Sequence, residues 1–73
     1  MVQYSVALFD STSQVMRGER VLGQAGVRVK MIPTPRQISS DCGMALRFDR
    51  EESDRVVIIL SENSVPVRGV YPI

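Results

Sequence analysis

The hydrophobic positions of this chain switch between two periods, and the switches mark out six elements. In Val2-Gln3-Tyr4-Ser5-Val6-Ala7-Leu8-Phe9 the alternation predicts a first strand, with Val2, Tyr4, Val6 and Leu8 on one face. Asp10-Ser11-Thr12-Ser13 is a run of N-cap residues, and Ser11 with Gln14 fits a capping box. The period then becomes helical from about Thr12 to Ala25. Its apolar stripe is Val15, Leu22 and Ala25, flanked by Met16 and Val21, and Gly26 supplies a left-handed stop. Val27 to Ile32 alternates again, a second strand with Val27, Val29 and Met31 inward. Met44, Leu46 and Phe48 give a third strand. Asp49 with Glu52 forms a second capping box, opening a helix over about Arg50–Glu62 with Val56, Val57 and Leu60 buried and Ile59 at the edge. Asn63 is its expected left-handed cap, and Val67 to Tyr71 a last, weaker strand.

Strand-helix-strand-strand-helix-strand is the order of a ferredoxin-like βαββαβ fold of the α+β class. Right-handed crossovers predict a four-stranded antiparallel sheet of order 4-1-3-2 with two helices on one face. Edge positions suit the second strand, which carries Arg28 and Lys30, and the fourth, which carries Pro72. Residues 1–73 are expected to form one domain, since a chain this short has no room for a second core.

Composition narrows the function classes. Nine basic residues against eight acidic ones leave a net charge of +1, which argues against an electrostatically driven nucleic-acid binder. A single cysteine excludes an internal disulfide and favours a reducing, cytoplasmic setting. The N-terminus shows no leader pattern, and no apolar run approaches membrane-spanning length, so no membrane partner is expected. With no histidine, the chain offers neither a structural zinc site nor a Cys-His pair, and no metal or other cofactor is expected.

What chemistry remains lies in Ile32-Pro33-Thr34-Pro35-Arg36-Gln37-Ile38-Ser39-Ser40-Asp41-Cys42-Gly43. The connection is several times longer than an ordinary hairpin turn, and loops of that length in small domains are often functional. Pro33 and Pro35 restrict the backbone and hold Thr34 extended. Topology brings this loop to the end of the sheet where the first helix begins. Free amides there, near Ser11 and Thr12, would stabilise a thiolate on Cys42. Arg36, Ser39, Ser40 and the amide of Gly43 are further anion-stabilising candidates, opposed by the carboxylates of Asp10 and Asp41. Cys42 shares the parity of Met44 and Leu46 and is expected to face the helix-covered side. The plain alternatives are a cysteine that is a small buried hydrophobe and an Arg36 that is a solvated charge.

The run Ile32-Pro33-Thr34-Pro35-Arg36, followed by Ser39, Cys42, Gly43, Ala45 and Leu46, resembles the putative selenium/sulfur carrier protein-like family of small bacterial proteins. Ala7-Leu8-Phe9-Asp10-Ser11-Thr12, Leu46-Arg47-Phe48 and Gly69-Val70-Tyr71 extend the resemblance over the chain. It implies a carrier, not an enzyme turning over a free substrate. Such a carrier would hold sulfur or selenium on Cys42 between a donor enzyme and an acceptor protein. The rival is a non-covalent ligand-binding or protein-interaction module. It would use a helix-free sheet face with Ser5, Ala7, Arg47 and Arg68, a face that would also suit a homodimer.

Overall fold

In the computed structural model, which describes residues 2–38 and 43–73, the chain runs β1 (Tyr4–Leu8), α1 (Thr12–Gln24), β2 (Val29–Pro33), β3 (Met44–Asp49), a 3-10 turn (Arg50–Glu52), α2 (Ser53–Glu62) and β4 (Gly69–Pro72). The four strands form one antiparallel sheet of order β2-β3-β1-β4, which read from the opposite edge is β4-β1-β3-β2.

Both helices pack on one face of this sheet. Val15 and Leu22 of α1 and Val56 and Leu60 of α2 meet Ala7, Leu46 and Phe48 from the central strands, with Phe9, Val27 and Val65 closing the cluster. The alternation of β2 is readable because the strand is half-buried: Val29 and Met31 pack on this core while Lys30 is exposed. Gly18 lets α1 sit close against the core. A Cβ there would lie 3.1 Å from the Phe9 ring and 3.3 Å from Leu46 Cδ1.

β1 behaves differently. Ser5 through Phe9 are all buried, so alternation along it does not report which side the helices cover. Val6 and Leu8 do share a face, but it is the helix-free one, where they cluster with Ala45 beneath Ile32 and Ile38. Ser5 and Ala7 are therefore not on an open face, as the module reading expected. The register sets Ala7 opposite the core residue Leu46, and both are fully buried. Small side chains on that side of β1 leave room for the helices.

The two helices stop in the same way. Gly26 has φ of +85°, and the N–H of buried Val27 donates to the Leu22 carbonyl at 2.9 Å. At the end of α2 the N–H of buried Val65 donates to the Leu60 carbonyl at 2.9 Å. This is the Schellman pattern, with its apolar contact just past the cap. The left-handed residue at this second stop is Ser64, with φ of 57°, not Asn63, whose φ is −102°. Asn63 instead turns its side-chain amide onto the Ile59 carbonyl at 2.8 Å. Each helix also caps the other: Arg17 donates to the Asn63 carbonyl at 3.0 Å and Arg55 to that of Ala25 at 2.7 Å. Ser64→Gly should relieve the left-handed penalty and stabilise the fold by about 0.5–1 kcal/mol. Thermal melting followed by circular dichroism would show it as a rise of a few degrees; an unchanged or lower midpoint would refute this account of the turn.

Two capping expectations part company. Ser11 is the N-cap of α1 and its Oγ accepts from the Gln14 N–H at 3.3 Å. Asp49 makes no such bond, because a 3-10 turn intervenes and Ser53 Oγ donates to the Arg50 carbonyl at 2.6 Å. Arg50 instead ties the chain ends together, donating to Gln3 Oε1 at 3.0 Å and to the Ile73 carbonyl at 3.1 Å. Val57 and Met16 are also more exposed than their helical spacing suggested, since only one narrow stripe of each helix meets the sheet.

Candidate functional site

The β2–β3 ladder extends past its last strand pair. Pro33 opposes Met44, and the Thr34 N–H then donates to the Gly43 carbonyl at 3.3 Å. Thr34 and Gly43 thus flank the long connection with a backbone hydrogen bond. Pro33 is exposed, Thr34 and Pro35 are half-buried, and Thr34 Oγ1 is buried with no partner among the described residues. Beyond Pro35 the chain turns, with the Ile38 N–H donating to the Pro35 carbonyl at 3.0 Å. Ile38 packs on Val6, Leu8 and Ala45 of the helix-free face. Ser39, Ser40, Asp41 and Cys42 lie outside the described residues, so the expected orientation of Cys42 does too.

Ile38 thus lies against the helix-free face, whereas Met44, after Gly43, packs against the helix-covered core. Gly43 and Met44 meet Asp10, Ser11 and Thr12 at the start of α1, with Phe9, Val15 and Arg68, around a cavity of about 220 Å³. Three of the expected site residues, Ser11, Thr12 and Gly43, are brought together. Arg36 is not: it sits exposed in the turn near Ile38 and does not line this cavity.

The cation that does line it is Arg68, which the reading of the sequence had set on an open sheet face. Its N–H donates to the Leu8 carbonyl at 2.8 Å, fixing the backbone at the end of β1. Its Nε lies 3.6 Å from Asp10 Oδ1. Both side chains are more than half exposed, so the pair itself adds little stability. The signal for this position was topological. β4 runs antiparallel to β1 with Gly69 opposite Leu8, so the residue before Gly69 must fall beside the β1–α1 turn.

The electrostatics favour an anion. The first amides of a helix lack intrahelical acceptors, and the helix dipole adds partial positive charge there. Arg68 adds a full positive charge, and the Asp10 carboxylate paired with it carries the equal and opposite one, so the helix-end amides and the guanidinium's N–H groups are what an anion would meet. Among the described residues no group of three His, Cys, Asp or Glu side chains could hold a metal ion. No helix among them is long and apolar enough to cross a membrane.

Residues 3–72 match the family described as putative Se/S carrier protein-like. The chain belongs to that family. The match spans both the long connection and the cavity at the start of α1, so the site and the fold that frames it fall within the matched residues. No curated protein and no solved structure matched.

Proposed function

We propose that this family member is a carrier that holds sulfur or selenium on Cys42. The observation that carries the reading is the cavity joining Gly43, the residue bonded to Cys42, to the start of α1 and to Arg68. A ferredoxin-like βαββαβ domain over residues 1–73 would be the frame, working in a reducing cytoplasm. In the loading step the Cys42 thiolate attacks the terminal sulfur of a donor enzyme's persulfide. The new bond is Cys42 S–S, the donor S–S bond breaks, and the donor leaves as a thiolate. The sulfur-borne proton stays on, or ionises from, the transferred atom, and no external oxidant is consumed. Discharge is the same exchange with an acceptor protein's nucleophile attacking the outer atom and Cys42 leaving as thiolate. A selenium atom follows the same bookkeeping.

In this reading the α1 amides, Ser11, Thr12, Gly43, Ser39, Ser40 and above all Arg68 stabilise the anion. Pro33, Thr34 and Pro35 shape the loop that docks donor and acceptor. Arg36 is the weaker contributor, because it stands away from the cavity. The test is alkylation of the native protein by iodoacetamide across pH. Wild type should react faster at neutrality than an ordinary thiol, whose pKa is about 8.5. Arg68→Ala should slow the neutral-pH rate by up to about fivefold, the upper range for a solvent-exposed charge pair. Asp10→Asn should speed it, and Arg36→Ala should change it least. A thiol inert up to about pH 9 would instead favour a non-covalent binding module with a structural cysteine.

A further inference from the structure

At the opposite end of the sheet from Gly43, the helix-free face carries a second cluster. Lys30 and Arg47 sit directly across from each other on β2 and β3. Like charges so placed repel and weaken the pairing. Arg28 joins them around a cavity of about 340 Å³ with Val2, Tyr4, Val29, Phe48 and Asp49. Three cations face one carboxylate there, and among the described residues none of the three is in an ion pair.

We propose that Arg28, Lys30 and Arg47 form a docking surface for an acidic, extended segment of a partner protein. Charge complementarity is the first argument, since bound carboxylates would remove the Lys30–Arg47 repulsion. The second is preorganisation. The Arg47 guanidinium lies 4.2 Å from the centre of the Tyr4 ring, held as a fixed fork of the shape that carboxylates accept bidentately. The third is position, because β2 is a sheet edge whose outer backbone groups face an incoming strand. Val2, 63% exposed, adds an apolar wall, so the segment should alternate carboxylates with an aliphatic side chain.

A single-stranded nucleic acid fits less well. Such ligands need open aromatic faces on which bases stack. Here Arg47 covers the Tyr4 ring, and the Tyr71 ring is laid over Gly69, where an added Cβ would come within 2.6 Å of its Oη. The surface is separate from the carrier cavity, so it stands or falls independently of the proposed sulfur or selenium chemistry.

The test is titration of isotope-labelled protein with a short synthetic peptide of alternating glutamate and valine, followed by amide NMR. A matching lysine-valine peptide and a short oligothymidylate serve as the other arms. The acidic peptide should shift the Val29, Lys30 and Arg47 resonances, with an affinity that falls as salt rises. Combined Arg28→Glu and Lys30→Glu should weaken it by about tenfold or more. Both side chains are exposed, and Lys30→Gln alone, a milder change, should lose part of the affinity. Shifts elsewhere, no binding, equal binding of the basic peptide, unchanged affinity in Lys30→Gln, or tighter oligothymidylate binding at these residues would each overturn the proposal.

Discussion

Phe48→Ala is expected to lower the stability of the fold by about 3–5 kcal/mol, the usual cost of truncating a buried aromatic. Phe48 is 1% exposed and lies on central strand β3, opposite Ser5 on one side and Val29 on the other. The paired backbones on either side hold the strands apart, so the sheet cannot close over the space left behind. The helix-facing neighbours on β1 are the small residues Ser5 and Ala7, which have no bulk to move into it. At average per-residue values, a chain of 73 residues has about 4–11 kcal/mol in total, so this one change consumes much of the margin. Urea unfolding should show a strongly lowered midpoint with an unchanged slope. A midpoint equal to wild type would mean that Phe48 does not pack as described.

Cys42→Ser is expected to abolish loading with sulfur or selenium altogether. The chain has one cysteine, so no second thiol can take over, and no histidine is present to activate a serine hydroxyl as a substitute nucleophile. In the carrier reading the thiol must be reachable by donor and acceptor, so the near-isosteric replacement is expected to leave the stability of the fold unchanged. The signature is therefore a complete functional loss at unchanged stability, the reverse of Phe48→Ala. Partial loss, or loss accompanied by a lowered melting temperature, would point to a structural cysteine instead.

Much of this architecture can be read along the chain wherever an element has one wet side. β2 shows it best, since Lys30 is out while Val29 and Met31 are in. Gly26 announced the end of α1, since a glycine after a helical stripe has few other uses. The reading failed where burial or geometry removed the contrast. β1 is covered on both faces, by the helices and by Ile38 of the long connection, so its apolar alternation pointed to the wrong side. Ser64, not Asn63, takes the left-handed turn, a shift of one residue that composition could not resolve. The meeting of Ser11, Thr12 and Gly43 followed from strand order, and the same reasoning applied to β4 would have brought in Arg68. Arg36 attracted attention through nearness in sequence, but the turn at residues 36–38 carries it away from the cavity.

The most direct test of the carrier is the intact mass of the protein after incubation with a cysteine desulfurase and cysteine, or with a selenium donor enzyme, followed by reduction. Wild type should gain the mass of one sulfur or selenium atom, the gain should vanish on reduction, and Cys42→Ser should gain nothing. A wild-type mass that does not change, or an equal gain in Cys42→Ser, would contradict the account.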